Sequence, residues 1–383
     1  MTFTSAFSDR IRQIAFAAAL ATAATLTGAV QAQEAIKIAV GAPLTGPLAK
    51  QGQEVANAVQ LAVDEWNAKG GVLGKQIELV EADDQGNPQV GVAAAEKVAA
   101  DSAVLGTVWG ITSSTCIPVS EVLDRSDVAL ITPGCSNPKV TDRMLKTVSR
   151  LCARDDFQGP AGAIFAVGEL KAKKIAVFDD GTAGPRGAAD EAAKQATAMG
   201  AEVLRFVLRA GDKDFRPILG TVPKDVDVIY AGLWAPDAAL LAKQLADVGL
   251  DVRMIGIDAQ FEPVDYIEAS AGAAEGNYVT FFVPDTKAIP AAQDFNKAFE
   301  SKYGPVSSYG PLAFEAANIL LEAIKSAGKA DRAAVAEAVR KTDREGILGT
   351  KISFDEKGDV ANPFLSVYQV QGTDFVSVKT VTK

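Results

Sequence analysis

The chain has 383 residues, with 38 Lys and Arg against 48 Asp and Glu and a formal net charge of −10. An acidic balance argues against nucleic acid or an anionic membrane as the main partner. Histidine is absent, which removes the commonest general base, every Ser-His-Asp arrangement and the usual zinc ligand. No Cys pair has metal-ligand spacing, so neither a metal nor a cofactor is expected.

Arg10 and Arg12 precede an Ala- and Thr-rich apolar run from Ile14 to Val30. Val30-Gln31-Ala32 then places small residues where a signal peptidase cuts. Residues 1–32 are therefore read as an export signal. The run is short for a membrane span, which takes about 20 apolar residues, and no later run is long enough.

From Ala35 the pattern alternates between strand and helix. AIKIAVG over 35–41 reads as a strand, followed by the loop Ala42-Pro43-Leu44-Thr45-Gly46-Pro47. The spacing of Val55, Val59, Ala62, Val63 and Trp66 predicts a helix over 51–68, stopped by Lys69-Gly70-Gly71. Ile77–Ala82 is a second strand. Asn87-Pro88 starts a helix to about Ala100, with an N-cap and a Pro in the first turn. Strands at 105–109 and 128–132 follow, separated by a helix that ends near Leu123. Such alternation implies a mostly parallel sheet with helices on both faces. A second run of the same type follows Gln158-Gly159-Pro160. It contains a helix to about Leu170, strands at 174–178, 202–207, 226–231, 252–257 and 277–283, and helices at 188–199, near 215–222 and after Trp234-Ala235-Pro236-Asp237. The remainder gives helices at 290–303, 309–326 and 332–342, then strand-like segments at 351–354, 364–370 and 375–381. The fold class is α/β, with two doubly wound lobes in series.

The stretch Leu105–Pro138 carries the most chemistry. Thr112, Ser113, Ser114 and Thr115 follow one strand, and Pro133-Gly134-Cys135-Ser136-Asn137-Pro138 follows the next. In open α/β sheets ligands bind beyond the carboxyl ends of the strands. Free amides at such turns and at helix N-termini suit an anion such as a carboxylate. Ser and Thr also serve as ordinary helix caps, but two such turns on successive strands point to a site. Cys116 and Cys135 fall near the ends of neighbouring strands and would be in reach of each other; three buried thiols, Cys152 included, fit the pattern equally. Asp258 ends a second-lobe strand, within reach of an ammonium group or simply solvated. Trp234 ends another and either stacks on an apolar ligand or packs between lobes. Trp66 and Trp109 read as core, with Trp109 close enough to the first turn to line a cleft floor. Gly181-Thr182-Ala183-Gly184-Pro185-Arg186-Gly187 is not a nucleotide-binding GxGxxG, and no phosphate-binding loop occurs elsewhere.

The chain resembles the periplasmic substrate-binding proteins of ABC transporters for branched-chain and other hydrophobic amino acids. The resemblance covers essentially the whole mature chain. It rests on the order and spacing of Gly41-Ala42-Pro43-Leu44-Thr45-Gly46-Pro47, Asn67-Ala68-Lys69-Gly70-Gly71-Val72-Leu73-Gly74, Asp83-Asp84, Ser113-Ser114, Thr132-Pro133 and Asn137-Pro138, then Arg150 with Asp155 and Gln158-Gly159-Pro160, and Phe354-Asp355-Glu356-Lys357-Gly358-Asp359. It implies a type I periplasmic binding fold of two lobes joined by three hinge crossings. Lobe one would take 33–154 and 285–356, and lobe two 155–284 and 357–383.

The resemblance also implies a site. Ser113, Gly134 and Ser136 match the positions that hold the ligand carboxylate, Asp258 the ammonium partner, Trp234 a second-lobe aromatic and Tyr309 a cleft-lining aromatic. The sequence departs from the pattern where a Tyr is replaced by Gly184, where a first-loop aromatic is replaced by Gln51, and where Gly86 and Thr112 stand in place of a Cys pair. The expected function is capture of a small carboxylate ligand, a branched-chain or other hydrophobic amino acid, by hinge closure and delivery to an ABC permease. The protein is expected to be a periplasmic monomer and not an enzyme. The alternatives are a receptor for an aromatic or aliphatic acid without an amine, and a sensory receptor not coupled to transport.

Overall fold

Strands that end in polar turns build two sheets, and the site lies where their carboxyl ends meet. The structure, a computed structural model, describes residues 35–381; the expected signal peptide lies outside the described residues. The first sheet is five-stranded and wholly parallel, in the order β2-β1-β3-β4-β5. Its strands are β1 (Ile36–Ala42), β2 (Ile77–Asp83), β3 (Val104–Trp109), β4 (Ala129–Thr132) and β5 (Val148–Arg150). The connecting helices are α1 (Ala49–Ala68), α2 (Pro88–Ala100) and α3 (Ser113–Asp124). The Asn87 side chain accepts from the amides of Gln89 and Val90, so the expected cap of α2 forms. On α1, the stripe of Val55, Val59, Ala62 and Val63 is buried as its spacing predicts, and Trp66 is only partly buried, its indole N–H donating to Asn318 Oδ1 at 2.9 Å.

The second sheet has seven strands in the order β14-β13-β10-β9-β8-β6-β7. They are β6 (Lys174–Asp179), β7 (Glu202–Val207), β8 (Val228–Gly232), β9 (Arg253–Gly256), β10 (Tyr278–Phe281), β13 (Leu365–Gln371) and β14 (Asp374–Val381). Strands β6 to β10 are parallel, and the C-terminal hairpin β13–β14 adds to them antiparallel. The helices of this half are α4 (Asp155–Ile164), α5 (Ala183–Ala198), the single turn α6 (Arg216–Leu219) and α7 (Ala235–Asp247). The chain returns to the first sheet with α8 (Gln293–Tyr303), α9 (Gly310–Ala327) and α10 (Arg332–Arg340). Helix α9 lies so close over β3 that a Cβ at Gly106 would meet Leu320 at 2.5 Å. A small hairpin, β11 (Asp343–Glu345) with β12 (Lys351–Ser353), belongs to neither large sheet. The chain thus passes between the sheets after Arg150, after Phe281 and after Ser353.

Four details differ from the sequence reading. Strand β5 is only three residues long and was not expected; it ends in Arg150, whose backbone bridges to Asp359 across the junction. Helix α4 starts at Asp155, ahead of the Gln158-Gly159-Pro160 that reads as its leader, and Pro160 sits inside it. It gives way to a π-helical turn over Phe165–Glu169. Helix α5 starts at Ala183 rather than Ala188. Gly184 and Pro185 read as turn residues, yet in a first helical turn the amide that Pro lacks would have no intrahelical partner anyway.

The candidate ligand-binding cleft

The turn after β3 and the turn after β4 come together, and a covalent bond holds them. Cys116, in the first turns of α3, is disulfide-bonded to Cys135, in the turn after β4. Gly110 lies against both sulfurs, with φ of 78° and an added Cβ only 2.7 Å from Cys116 Sγ. Of the two readings open from sequence, a Cys116–Cys135 pair is therefore the one observed, with Cys152 buried and free.

Ser113 is the first residue of α3 and is buried. Its Oγ accepts the amide of Asn137 at 3.2 Å. The hydroxyl proton stays available to an incoming acceptor. Ser136, also buried, lies on the same side: a Cβ on Gly184 would sit 3.3 Å from Ser113 Oγ and 3.7 Å from Ser136 Oγ. The N-terminus of α5 thus points at the two hydroxyls, adding a helix-dipole field and unladdered amides that favour an anion there.

Arg150 fixes the second turn from behind. Its side chain is fully buried and every N–H is used. Nε and one Nη donate to Asp359 Oδ1 at 2.8 and 2.6 Å, and that same Nη reaches Thr141 Oγ1 at 2.6 Å. The other Nη donates to the carbonyls of Cys135 and Asn137 at 3.0 and 2.8 Å. Ser136 is held between those two carbonyls. Asp359 also accepts from Arg154 at 2.8 Å, and its carboxyl is held below the ordinary range by these guanidiniums despite the opposing effect of burial.

The opposite wall comes from Asp258, just beyond β9. It is buried, and Tyr309 Oη donates to its Oδ2 at 2.7 Å. Burial pushes its carboxyl up to about 6, against the lowering effect of Tyr309 and Gln158. Tyr309 caps α9, and Gly134 is where its ring passes: a Cβ there would meet Tyr309 Cε1 at 2.9 Å. The helix start is itself anchored by buried Glu54 of α1. Glu54 accepts the amides of Ser308 and Gly310 at 2.9 and 3.0 Å and a hydroxyl from Ser307.

Trp234 caps α7 and lines a cavity of about 280 Å³ together with Leu48, Thr112, Ser113, Gly184 and Asp180. Trp109, expected as a possible cleft floor, is turned away from that cavity. It is fully buried, its indole N–H donates to Asp84 Oδ2 at 3.1 Å, and its ring fills the slot that Gly41 leaves on β1. The structure therefore places Ser113, Gly184 and Trp234 on the cavity with Ser136 beside Gly184, packs Gly134, Tyr309 and Asp258 together as a buried group, and leaves Trp109 in the core.

Asp155, which enters the sequence reading only with Arg150 as a mark of the family resemblance, belongs to the site's surroundings. It is 1% exposed, neither carboxylate oxygen has a hydrogen-bond partner among the described residues, and its backbone amide donates to the carbonyl of Ser136 at 3.0 Å. Burial pushes its carboxyl well above the usual range. Gly187 makes room for it, since a Cβ there would lie 2.3 Å from Asp155 Oδ2. Only the juxtaposition of α4 and α5 reveals this, because Asp155 and Asp156 look alike in sequence.

The two halves touch across the cleft. Ala183 N–H donates to Ser114 Oγ at 3.0 Å, Asn137 Nδ2 donates to the Ala183 carbonyl at 2.8 Å, and Gln51 Nε2 reaches the Ala259 carbonyl at 3.4 Å. Two α/β halves, three crossings and polar turns facing each other across a closed cleft define a ligand-capturing receptor of the type I periplasmic binding architecture.

The chain belongs to the periplasmic binding protein family, whose model matches residues 35–374. It is 35% identical over 359 residues to the Leu/Ile/Val-binding protein BraC3 of Rhizobium johnstonii, covering 93% of this chain and 97% of that one. Among solved structures, the leucine-binding protein LivK of Thermotoga maritima superposes with a TM-score of 0.84 at 31% identity, covering 91% of this chain and 99% of that one. The branched-chain amino acid transporter substrate-binding protein LivJ of Streptococcus pneumoniae, in complex with isoleucine, gives a TM-score of 0.84 at 25% identity over 91% of this chain and all of that one.

Proposed function

We propose that this protein is an extracytoplasmic receptor that captures an amino acid, branched-chain or otherwise hydrophobic, by hinge closure and presents it to an ABC permease. It is a binder and not an enzyme, and it works as a monomer in the periplasm after loss of residues 1–32. Lobe one comprises 33–154 and 285–356; lobe two comprises 155–284 and 357–383. The family and the Leu/Ile/Val-binding relatives support this reading.

The observation that carries it is the polarity of the cleft. On one side are the free hydroxyl proton of Ser113, the hydroxyl of Ser136 and the N-terminus of α5, a set that stabilises a carboxylate. On the other is a buried carboxyl, Asp258, while a second buried acid, Asp155, lies behind Ser136 on the first side. Two buried acids disfavour a ligand with only negative charge and favour one that also brings an ammonium group. This weighs against the amine-free acid as the preferred ligand.

In closure, Ser113, Ser136 and Gly134 hold the carboxylate in the open form. Asp258 and Trp234 engage only when the lobes meet, so ligand selects the closed state by the contacts it gains there. Replacing Ser113 with Ala is expected to weaken leucine binding by about 1–3 kcal/mol, since a buried carboxylate loses a donor. Calorimetric titration reads this directly, and an unchanged affinity would remove Ser113 from the site.

A further inference from the structure

Helix α5 is capped from the opposite half of the molecule. Its N-cap residue, Thr182, makes no side-chain cap. The Thr182 hydroxyl and amide both go to Asp180 Oδ1, at 2.6 and 2.8 Å. Pro185 has no N–H, and the Arg186 amide already donates to the Thr182 carbonyl at 3.0 Å. Ala183 and Gly184 therefore carry the two first-turn amides that the helix itself cannot use. The Ala183 amide donates to Ser114 Oγ at 3.0 Å. Ser114 belongs to α3, which follows β3 of the first sheet, whereas α5 follows β6 of the second. The capping oxygen that a helix normally takes from its own chain start here comes from across the cleft.

The same residue is gripped a second time. Asn137 Nδ2 donates to the Ala183 carbonyl at 2.8 Å, while Asn137 Oδ1 accepts the Lys139 amide at 3.0 Å. Each end of the side-chain amide thus meets a complementary partner, which fixes its orientation. The Asn137 backbone is held too, its amide donating to Ser113 Oγ at 3.2 Å and its carbonyl accepting from Arg150 at 2.8 Å. The Cys116–Cys135 bond ties the helix that carries Ser114 to the turn that carries Asn137. Two braced prongs therefore clasp both backbone groups of Ala183. The other contacts across the cleft differ. Tyr309 to Asp258 uses a residue proposed to meet the ligand, and Gln51 to the Ala259 carbonyl is long at 3.4 Å.

We propose that Ser114 and Asn137 are positioning residues that latch the cleft shut, stabilising the closed state by clasping Ala183 and acting on the ligand only through closure. The proposal rests on the hinge-closure reading above and deepens it. Every group in the clasp belongs to the protein, so its contribution does not depend on which ligand fills the cavity. A bias toward the closed state adds equally to the affinity of each ligand that binds by closure.

Ser114→Ala tests this, with Ser114→Thr as the variant that keeps the hydroxyl. Parent and variants are titrated calorimetrically with leucine, valine and phenylalanine, and ligand release is followed by stopped flow. In Ser114→Ala every ligand that binds the parent is expected to weaken by the same factor, about three- to tenfold. The loss is expected in faster dissociation with association unchanged, and Ser114→Thr is expected to recover the affinity. Unchanged affinity in Ser114→Ala overturns the proposal, as does no recovery in Ser114→Thr. So does a loss that differs by more than about twofold between ligands, which would make Ser114 a ligand contact on the cavity it borders. If none of the three binds the parent, the amino-acid reading fails by itself. The latch is then read in the unliganded protein by double electron–electron resonance between nitroxide labels at exposed Gln89 of α2 and Lys243 of α7. The closed-to-open ratio is expected to fall by about three- to tenfold in Ser114→Ala, and identical distance distributions overturn the proposal.

Discussion

Asp258 shows how a single buried carboxyl ties ligand choice to pH. With its carboxyl pushed up to about 6, it is mostly ionised at pH 7, where it would pair with the ammonium group of the proposed ligand, and mostly protonated at pH 5. The groups around it are the Tyr309 hydroxyl, Gln158, Cys152, Tyr230 and Asp155, none of them a cation. Ligand binding favours the ionised form, so affinity for leucine is expected to fall as pH drops from 7 to 5, by up to about tenfold per unit below 6. Titrations across that range check it, and Asp258→Asn should weaken binding at pH 7 and remove most of the slope. The proposed carboxylate side of this site is suggested in the sequence by Ser, Thr and Gly recurring at two successive strand ends. The ammonium side was harder to read. Asp258 was marked by its place at a strand end, but only the family resemblance chose the ammonium role over a solvated one, and Asp155 sits in an Asp-Asp pair whose members differ solely in what surrounds them. Trp109 was ambiguous because a Trp at a strand end faces cleft or core according to its neighbours. Gly41 on the adjacent strand decided for the core.

At the scale of elements, the site depends on two short turns being held in register. The Cys116–Cys135 bond closes a loop of sequence separation 19, and it joins the segments that carry Ser113 and Ser136. Replacing both cysteines with serine is expected to lower unfolding free energy by about 2–4 kcal/mol and to weaken ligand binding as the turns loosen. Urea unfolding followed by titration separates the two effects, and full stability with full affinity would show the tether to be idle. The α9 N-terminus, gripped by Glu54, sets the Tyr309 ring beside Gly134. Most helices and strands were readable because their apolar periodicity is long and clean. The exceptions were those where tertiary contact outweighs local pattern. Strand β5 has three residues, too few for a period, and exists because β4 pairs with it and Asp359 bridges to its end. The start of α5 hid behind Gly184 and Pro185, residues that mark turns except in a first helical turn.

Across the whole molecule, the junction between the sheets and the ligand turn share one residue. Arg150 leaves the first sheet, pairs with Asp359 on the third crossing and holds the carbonyls on either side of Ser136. Arg150→Met would leave Asp359 with Arg154 and the Thr141 hydroxyl and strand the buried Cys135 carbonyl, so a loss of about 3–5 kcal/mol in unfolding free energy is expected. Stability within about 0.5 kcal/mol of the parent, the range of ordinary surface changes, would mean that Arg150 does not brace the junction. The two-sheet architecture followed from the βα alternation, while the crossings became visible only through the strand order.

In the proposed function the closed cleft recognises an amino acid by both its charged ends, the carboxylate on Ser113 and Ser136 and the ammonium at Asp258. Calorimetric titration at pH 7 with leucine, its deaminated analogue 4-methylpentanoate and its uncharged-carboxyl analogue leucinamide tests this most directly. Leucine is predicted to bind, and each analogue to bind at least about tenfold more weakly, since each removes a charge-assisted contact. Binding of 4-methylpentanoate as tight as that of leucine would contradict the account.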